Sequence, residues 1–271
     1  MSKVNPGRKP ALTPAAFLVR GLVAGLLAGL VAFGVAFALG EPHVDHAIGL
    51  EEAAAEHLTP EEVAAEEAAA AEPGMVEISR ENQKSFGLLT GTAAVGTALG
   101  GLTALAAAAV VGRLGRLSAR GSTLLVAGIG FVAVALVPFV KYPATPPAVG
   151  DPETISDRTA EYFALVLISV LAAIGAVVVG RRLLGRFDGV DAGLIAAGGF
   201  VAVVSAAGLL LPSVNEVGAF PADLLWQFRR SSILTLASLW ATIAVILTVL
   251  VGRLHDAVTA DAQRRALAAG L

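Results

Sequence analysis

Residues 15–39 read AAFLVRGLVAGLLAGLVAFGVAFAL, an apolar stretch with one charge, Arg20, near its start. About 20 mostly apolar residues carry a helix across the hydrocarbon of a bilayer, and an isolated strand would leave its backbone unpaired there. A secretory signal is the alternative, because basic residues precede the stretch and Ala36-Phe37-Ala38 resembles a cleavage site. The apolar run from Gly21 to Leu39 is longer than the ~7–15 residues of a signal core, so a retained helix is expected.

Five further segments qualify by the same criterion: 86–111, 121–140, 162–180, 192–211 and 231–252. Composition agrees. The chain has 271 residues, 56% apolar and 15% charged, with mean hydropathy +0.76, against about 45–50% and 25% in soluble domains. The expected fold is therefore an all-α integral membrane protein of six transmembrane helices. Its parts are an N-terminal tail (1–14), a membrane domain (15–254) with an acidic outer loop (40–85), and a C-terminal tail (255–271).

Direction follows from lysine and arginine, which favour the cytoplasmic side. With the N-terminus inside, 13 of the 19 basic residues fall on inner segments, leaving Arg80, Lys84, Lys141, Arg158, Arg229 and Arg230 outside. Of the 22 acidic residues only Asp188, Asp191, Asp256 and Asp261 lie inside. Both termini are expected in the cytoplasm, with the chain multi-pass in the cell membrane.

Glycine spacing predicts helix packing. Gly21, Gly25 and Gly29 recur on one face of the first span, and Gly87/Gly91 and Gly96/Gly100 on the second. Small residues at this spacing let helices approach closely in lipid, within the chain or in an oligomer. Val-Gly-Arg closes the second, fourth and sixth spans at residues 111–113, 179–181 and 251–253. Gly130-Phe131-Val132-Ala133-Val134 recurs as Gly199-Phe200-Val201-Ala202-Val203. Three parallel helical hairpins about an axis along the membrane normal would produce such a pattern.

Several chemistries are excluded. Without cysteine there is no disulfide, zinc knuckle, iron–sulfur centre or thiol nucleophile. A net charge of −3 without a basic tract argues against nucleic acid. No P-loop and no nucleophile–base–acid set is present, so no enzymatic activity and no permanently bound cofactor are expected. The interiors of the six predicted spans lack Asp, Glu, His, Lys and Arg, whereas proton-driven carriers usually keep an ionisable relay there.

The outer segments are richer. The loop from Glu41 to Ser85 holds 12 acidic residues against Arg80 and Lys84, a potential that would concentrate cations. Within it, Glu41-Pro42-His43-Val44-Asp45-His46 places two imidazoles three residues apart, on one face if helical. Imidazole plus carboxylate suits Co²⁺, Ni²⁺ or Zn²⁺, so His43, Asp45 and His46 are candidate metal ligands, with His57 further along. A solvated acidic loop with incidental histidines is the plainer alternative. Thr59-Pro60-Glu61-Glu62 predicts a short helix to about Glu72. The prolines at 138, 143, 146 and 147 predict a stiff extended segment in place of a helix. Arg229 and Arg230 are expected to pair with Asp223, Glu216 or lipid phosphate.

Two of these segments carry a family resemblance. The run Val137-Pro138-Phe139-Val140-Lys141-Tyr142-Pro143-Ala144-Thr145-Pro146-Pro147-Ala148-Val149-Gly150 resembles a signature of the CbtA family. So does Phe220-Pro221-Ala222-Asp223-Leu224-Leu225-Trp226-Gln227-Phe228-Arg229, and the likeness extends from about Arg20 to Leu254. The resemblance implies a bacterial cobalt transporter subunit, Co²⁺ as the transported ion, and a small single-span partner, CbtB, with a histidine-bearing tail. Two departures stand out. Many relatives carry a dense histidine cluster where this chain has Glu56-His57, and their usual Asn in the proline run is Thr145 here. The alternative to transport is a membrane scaffold or assembly protein whose outer loops bind a partner.

Overall fold

The computed structural model describes residues 11–55, 78–115, 117–147, 149–151, 154–214 and 216–270. Every regular element among them is helical. Six helices are long and apolar enough to cross a membrane: α1 (Pro14–Ala55), α2 (Arg80–Val110), α3 (Ala119–Lys141), α4 (Ile155–Leu183), α5 (Gly189–Leu210) and α6 (Ala222–Ala269). His57 and the expected helix over 59–72 lie outside the described residues.

Three helices start at the same end with side-chain caps, as exposed helix N-termini require. Thr13 accepts from the Ala16 N–H at 3.2 Å, with Pro14 following. Ser118 accepts from the Gly121 N–H at 3.1 Å, and Asp188 from the Val190 and Asp191 N–H groups at 2.8 Å each. The other end, where α2, α4 and α6 begin, carries most of the acidic residues and is called the acidic end below.

The helices outrun the apolar segments. α1 continues past Leu39 to Ala55, α4 starts at Ile155 and α6 runs for 48 residues, about 72 Å at 1.5 Å per residue. Hydropathy stops at the hydrocarbon edge, whereas backbone hydrogen bonding does not. The expectation that the prolines forbid helix from Pro138 onward is also corrected. α3 runs through the buried Pro138 to Lys141, and the non-helical segment begins at Tyr142.

A π-turn makes this possible. Proline lacks an N–H and its ring crowds the carbonyl four residues back; a widened turn relieves both. The π-turn Phe131–Leu136 ends two residues before Pro138, and Ala36–Gly40 ends two residues before Pro42. A third π-turn, Gln83–Gly87 in α2, has no proline beside it.

The interior is built of small residues. Among the described residues alanine makes up 12 of the 22 buried apolar residues, while Leu26, Leu102, Leu167 and Val245 are exposed. This arrangement suits lipid, where packing decides which face turns inward. α1 lies against α2 so closely that a Cβ at Gly25 would meet Gly96 C at 2.8 Å and Thr97 Cα at 2.9 Å, besides overlapping the Gly96 carbonyl oxygen. Gly21, Gly29, Gly96 and Gly100 are equally tight. The face carrying Gly21, Gly25 and Gly29 is therefore an intrachain seam with Gly96 and Gly100. Gly91 faces open space, and only its own helix's Asn82 carbonyl lies near Gly87.

α6 is the central helix, packing on α1 and α3 through Trp240, Ile243, Leu247 and Val251. Trp240 fills the space over Gly130, where a Cβ would come within 2.5 Å of its ring. α5 packs chiefly on α4 and buries only Ala192 among its residues. The α1–α2 seam has no counterpart of similar extent between α5 and α6, so packing gives no sign of three equivalent hairpins.

Candidate functional site

The first candidate lies where α1 emerges at the acidic end. The segment with His43, Asp45 and His46 is helical, because the π-turn before Pro42 lets the helix continue. His43 is half-buried and His46 exposed. Asp45 is already engaged by the start of α2, with Arg80 Nη2 at 3.0 Å and Lys84 Nζ at 3.8 Å. Arg80 also pairs with Glu41. Two cations thus balance two carboxylates across α1 and α2. Among the described residues no group of three His, Asp or Glu side chains is placed to hold a metal.

The second candidate is a pocket of about 430 Å³ at the same end, and it draws the two signature segments together. Tyr142, Pro143 and Thr145 come from the α3–α4 connection, Arg158 and Tyr162 from α4, Glu216 from the α5–α6 connection and Arg229 from α6. Glu216 is the hub. It accepts from the Asp151 N–H at 2.9 Å and the Thr154 hydroxyl at 3.0 Å, and lies 3.6 Å from Arg158 Nη1. The Asp151 N–H foremost, then Thr154 and Arg158, hold its carboxyl below the usual range despite some desolvation. Glu216 therefore pairs with Arg158, not with the arginines expected from sequence.

Arg158 is fixed on its other edge as well, donating to the Asp151 carbonyl at 2.9 Å. Gly150, at φ +108°, passes against its guanidinium, where a Cβ would lie 2.9 Å from Cζ. Tyr142 donates to the Pro212 carbonyl at 2.8 Å, tying the two connections together. Burial first, and then the neighbouring Glu161 carboxylate, push the Tyr142 hydroxyl above its ordinary pKa. Lys141 Nζ sits 5.6 Å from the Tyr142 ring centroid, within cation–π range. Arg229 reaches the Ala144 carbonyl through Nε at 3.4 Å.

The remaining signature residues have other surroundings. Pro138 and Pro146 are buried, Phe139, Pro147 and Phe220 half-buried, and Pro221, Asp223 and Trp226 exposed on the first turns of α6. The sequence reading passed over Glu161, which precedes the predicted fourth span by one residue. In the structure it lies on α4, and its Oε2 is enclosed without a hydrogen-bond partner. An acidic residue immediately before an apolar run was the available signal.

The family model for CbtA, described as a probable cobalt transporter subunit, matches residues 15–252. No curated protein and no solved structure matches the chain.

Proposed function

The chain belongs to the CbtA family of probable cobalt transporter subunits, and on that premise we propose that it is the membrane-embedded subunit of a Co²⁺ transporter in the cell membrane. The family match over nearly the whole bundle carries the reading. The six apolar helices agree with it. In the proposed orientation both termini are cytoplasmic, the acidic end faces outward, and a small single-span subunit of the CbtB type completes the transporter.

We further propose that His43, Asp45 and His46 first capture the ion, with His57 from beyond the described residues. The two imidazoles stand three residues apart on a helix that carries Glu41, Asp45, Glu51 and Glu52. Arg80 and Lys84 pair with the Asp45 carboxylate, so capture requires that Asp45 exchange them for the ion at ~2.0–2.2 Å. Imidazole binds such an ion through the lone pair of a ring nitrogen.

A scaffold role is the rival. It is favoured by the absence of ionisable side chains from the middle of the helices, which leaves no intramembrane relay for an ion-coupled carrier. Uptake of radioactive cobalt into proteoliposomes, with and without the single-span partner, separates the two. Transport predicts accumulation inside vesicles that hold both subunits. Vesicles that hold both and take up no more than empty ones favour the scaffold.

A further inference from the structure

The lining of the pocket at the acidic end carries two guanidiniums, Arg158 and Arg229, and one carboxylate, Glu216, which is already satisfied by Asp151, Thr154 and Arg158; the Glu161 carboxylate lies outside the lining, beside Tyr142. Arg229 has only the 3.4 Å contact with the Ala144 carbonyl, and no described carboxylate pairs with it. The Nε of Arg158 is enclosed and lacks a partner. Guanidinium donors left over in a half-enclosed cavity favour an anion, and phosphate and carboxylate match their fork geometry.

A second observation says what the anion is attached to. Ile155, Thr159 and Phe163 line the pocket at successive four-residue steps on α4. Leu167 and Leu171 extend the same row away from it, and Phe163, Leu167 and Leu171 are 62%, 58% and 57% exposed. The row descends about 12 Å from Phe163 to Leu171, along a face that the chain itself leaves to hydrocarbon. An anion with a hydrocarbon tail fits both parts; a free anion fits only the first. The volume of about 430 Å³ lies within the ~300–1,000 Å³ of small-ligand sites.

We propose that this pocket binds the phosphate of an anionic phospholipid, with the headgroup against Arg229 and Arg158 and one acyl chain along Phe163, Leu167 and Leu171. The site is independent of cobalt transport and of the orientation assigned above. Its phosphate chemistry is shared with soluble phosphate esters, and the test separates the two sources.

The test is native mass spectrometry of the full chain, with dioleoyl phosphatidylglycerol, dioleoyl phosphatidylcholine and glycerol 3-phosphate as probes. Phosphatidylglycerol is expected to be retained in preference to both others. Arg229→Gln lowers that retention about tenfold, as expected for loss of a charge-assisted hydrogen bond. Arg230→Gln, which removes the same charge at an exposed neighbour outside the pocket, leaves it unchanged. Phe163→Ala, at an exposed position whose ring meets that of Tyr162 edge-on, lowers phosphatidylglycerol retention severalfold and keeps the proposal testable if Arg229→Gln fails to fold. Equal retention of phosphatidylcholine, equal loss in Arg230→Gln, or no loss in Phe163→Ala overturns the proposal. Glycerol 3-phosphate held as tightly as the lipid overturns it in favour of a soluble-anion site.

Discussion

Replacing Gly25 by alanine tests the α1–α2 seam with the smallest possible perturbation. The added methyl would stand 2.8 Å from Gly96 C and 2.9 Å from Thr97 Cα. These are backbone atoms, so no rotamer change can move them away. Carbon–carbon contacts are favourable from about 3.5 Å, so the helices must part by at least roughly 0.7 Å, and further to clear the Gly96 carbonyl oxygen, and a gap of that size forfeits a quarter or more of each dispersion well along the seam. Overpacking of this kind costs about 1–3 kcal/mol. Gly91→Ala is the matched control, because a Cβ there meets nothing within 4 Å. Both variants gain the same ~1 kcal/mol of helix propensity, so their difference reports the seam alone. Unfolding in mixed micelles of rising sodium dodecyl sulfate, followed by circular dichroism, should place Gly25→Ala about 1–3 kcal/mol below Gly91→Ala. Equal stabilities would refute the close crossing.

Three further outcomes are expected. The chain has no cysteine, so single cysteines report topology without background: Ala219→Cys should react with an impermeant thiol reagent in intact cells and Arg186→Cys should not, and the reverse pattern inverts the orientation. Glu216, with its folded pKa lowered by Asp151, Thr154 and Arg158, contributes stability that is present above its unfolded pKa and is lost as pH falls through the lower folded value. Thermal unfolding of Glu216→Gln in detergent should therefore lose part of the acid sensitivity of the parent chain, and superimposable pH profiles would show the clasp to be inert. Replacing His43 and His46 together by alanine should weaken Co²⁺ uptake at unchanged membrane expression. Unchanged uptake would make both histidines ordinary surface residues.

The six spans were legible because hydrocarbon imposes one length and one composition on every crossing helix. The Gly21-Gly25-Gly29 face was legible too, since a four-residue step needs only a helix to become a stripe. Whether a stripe finds a partner depends on the neighbouring helix, and so Gly96 and Gly100 meet the seam while Gly91 faces open space. Helix ends were less legible. Pro138 read as a break, yet a π-turn two residues before it lets the helix pass, as another does before Pro42. The pocket was beyond a linear reading. Tyr142, Arg158, Glu216 and Arg229 are scattered over almost 90 residues, and each alone reads as a connection or a helix start. Proximity in sequence offered Asp223, Glu216 or lipid phosphate to Arg229, whereas the fold gives Glu216 to Arg158.

Cobalt content of cells at low external cobalt, measured by mass spectrometry in strains with and without the gene, tests the central claim most directly. A Co²⁺ transporter subunit predicts that deletion lowers cell cobalt, that the gene in trans restores it, and that magnesium and zinc contents stay level. Equal cobalt in the two strains, with the protein present in the membrane of the parent, would contradict the account.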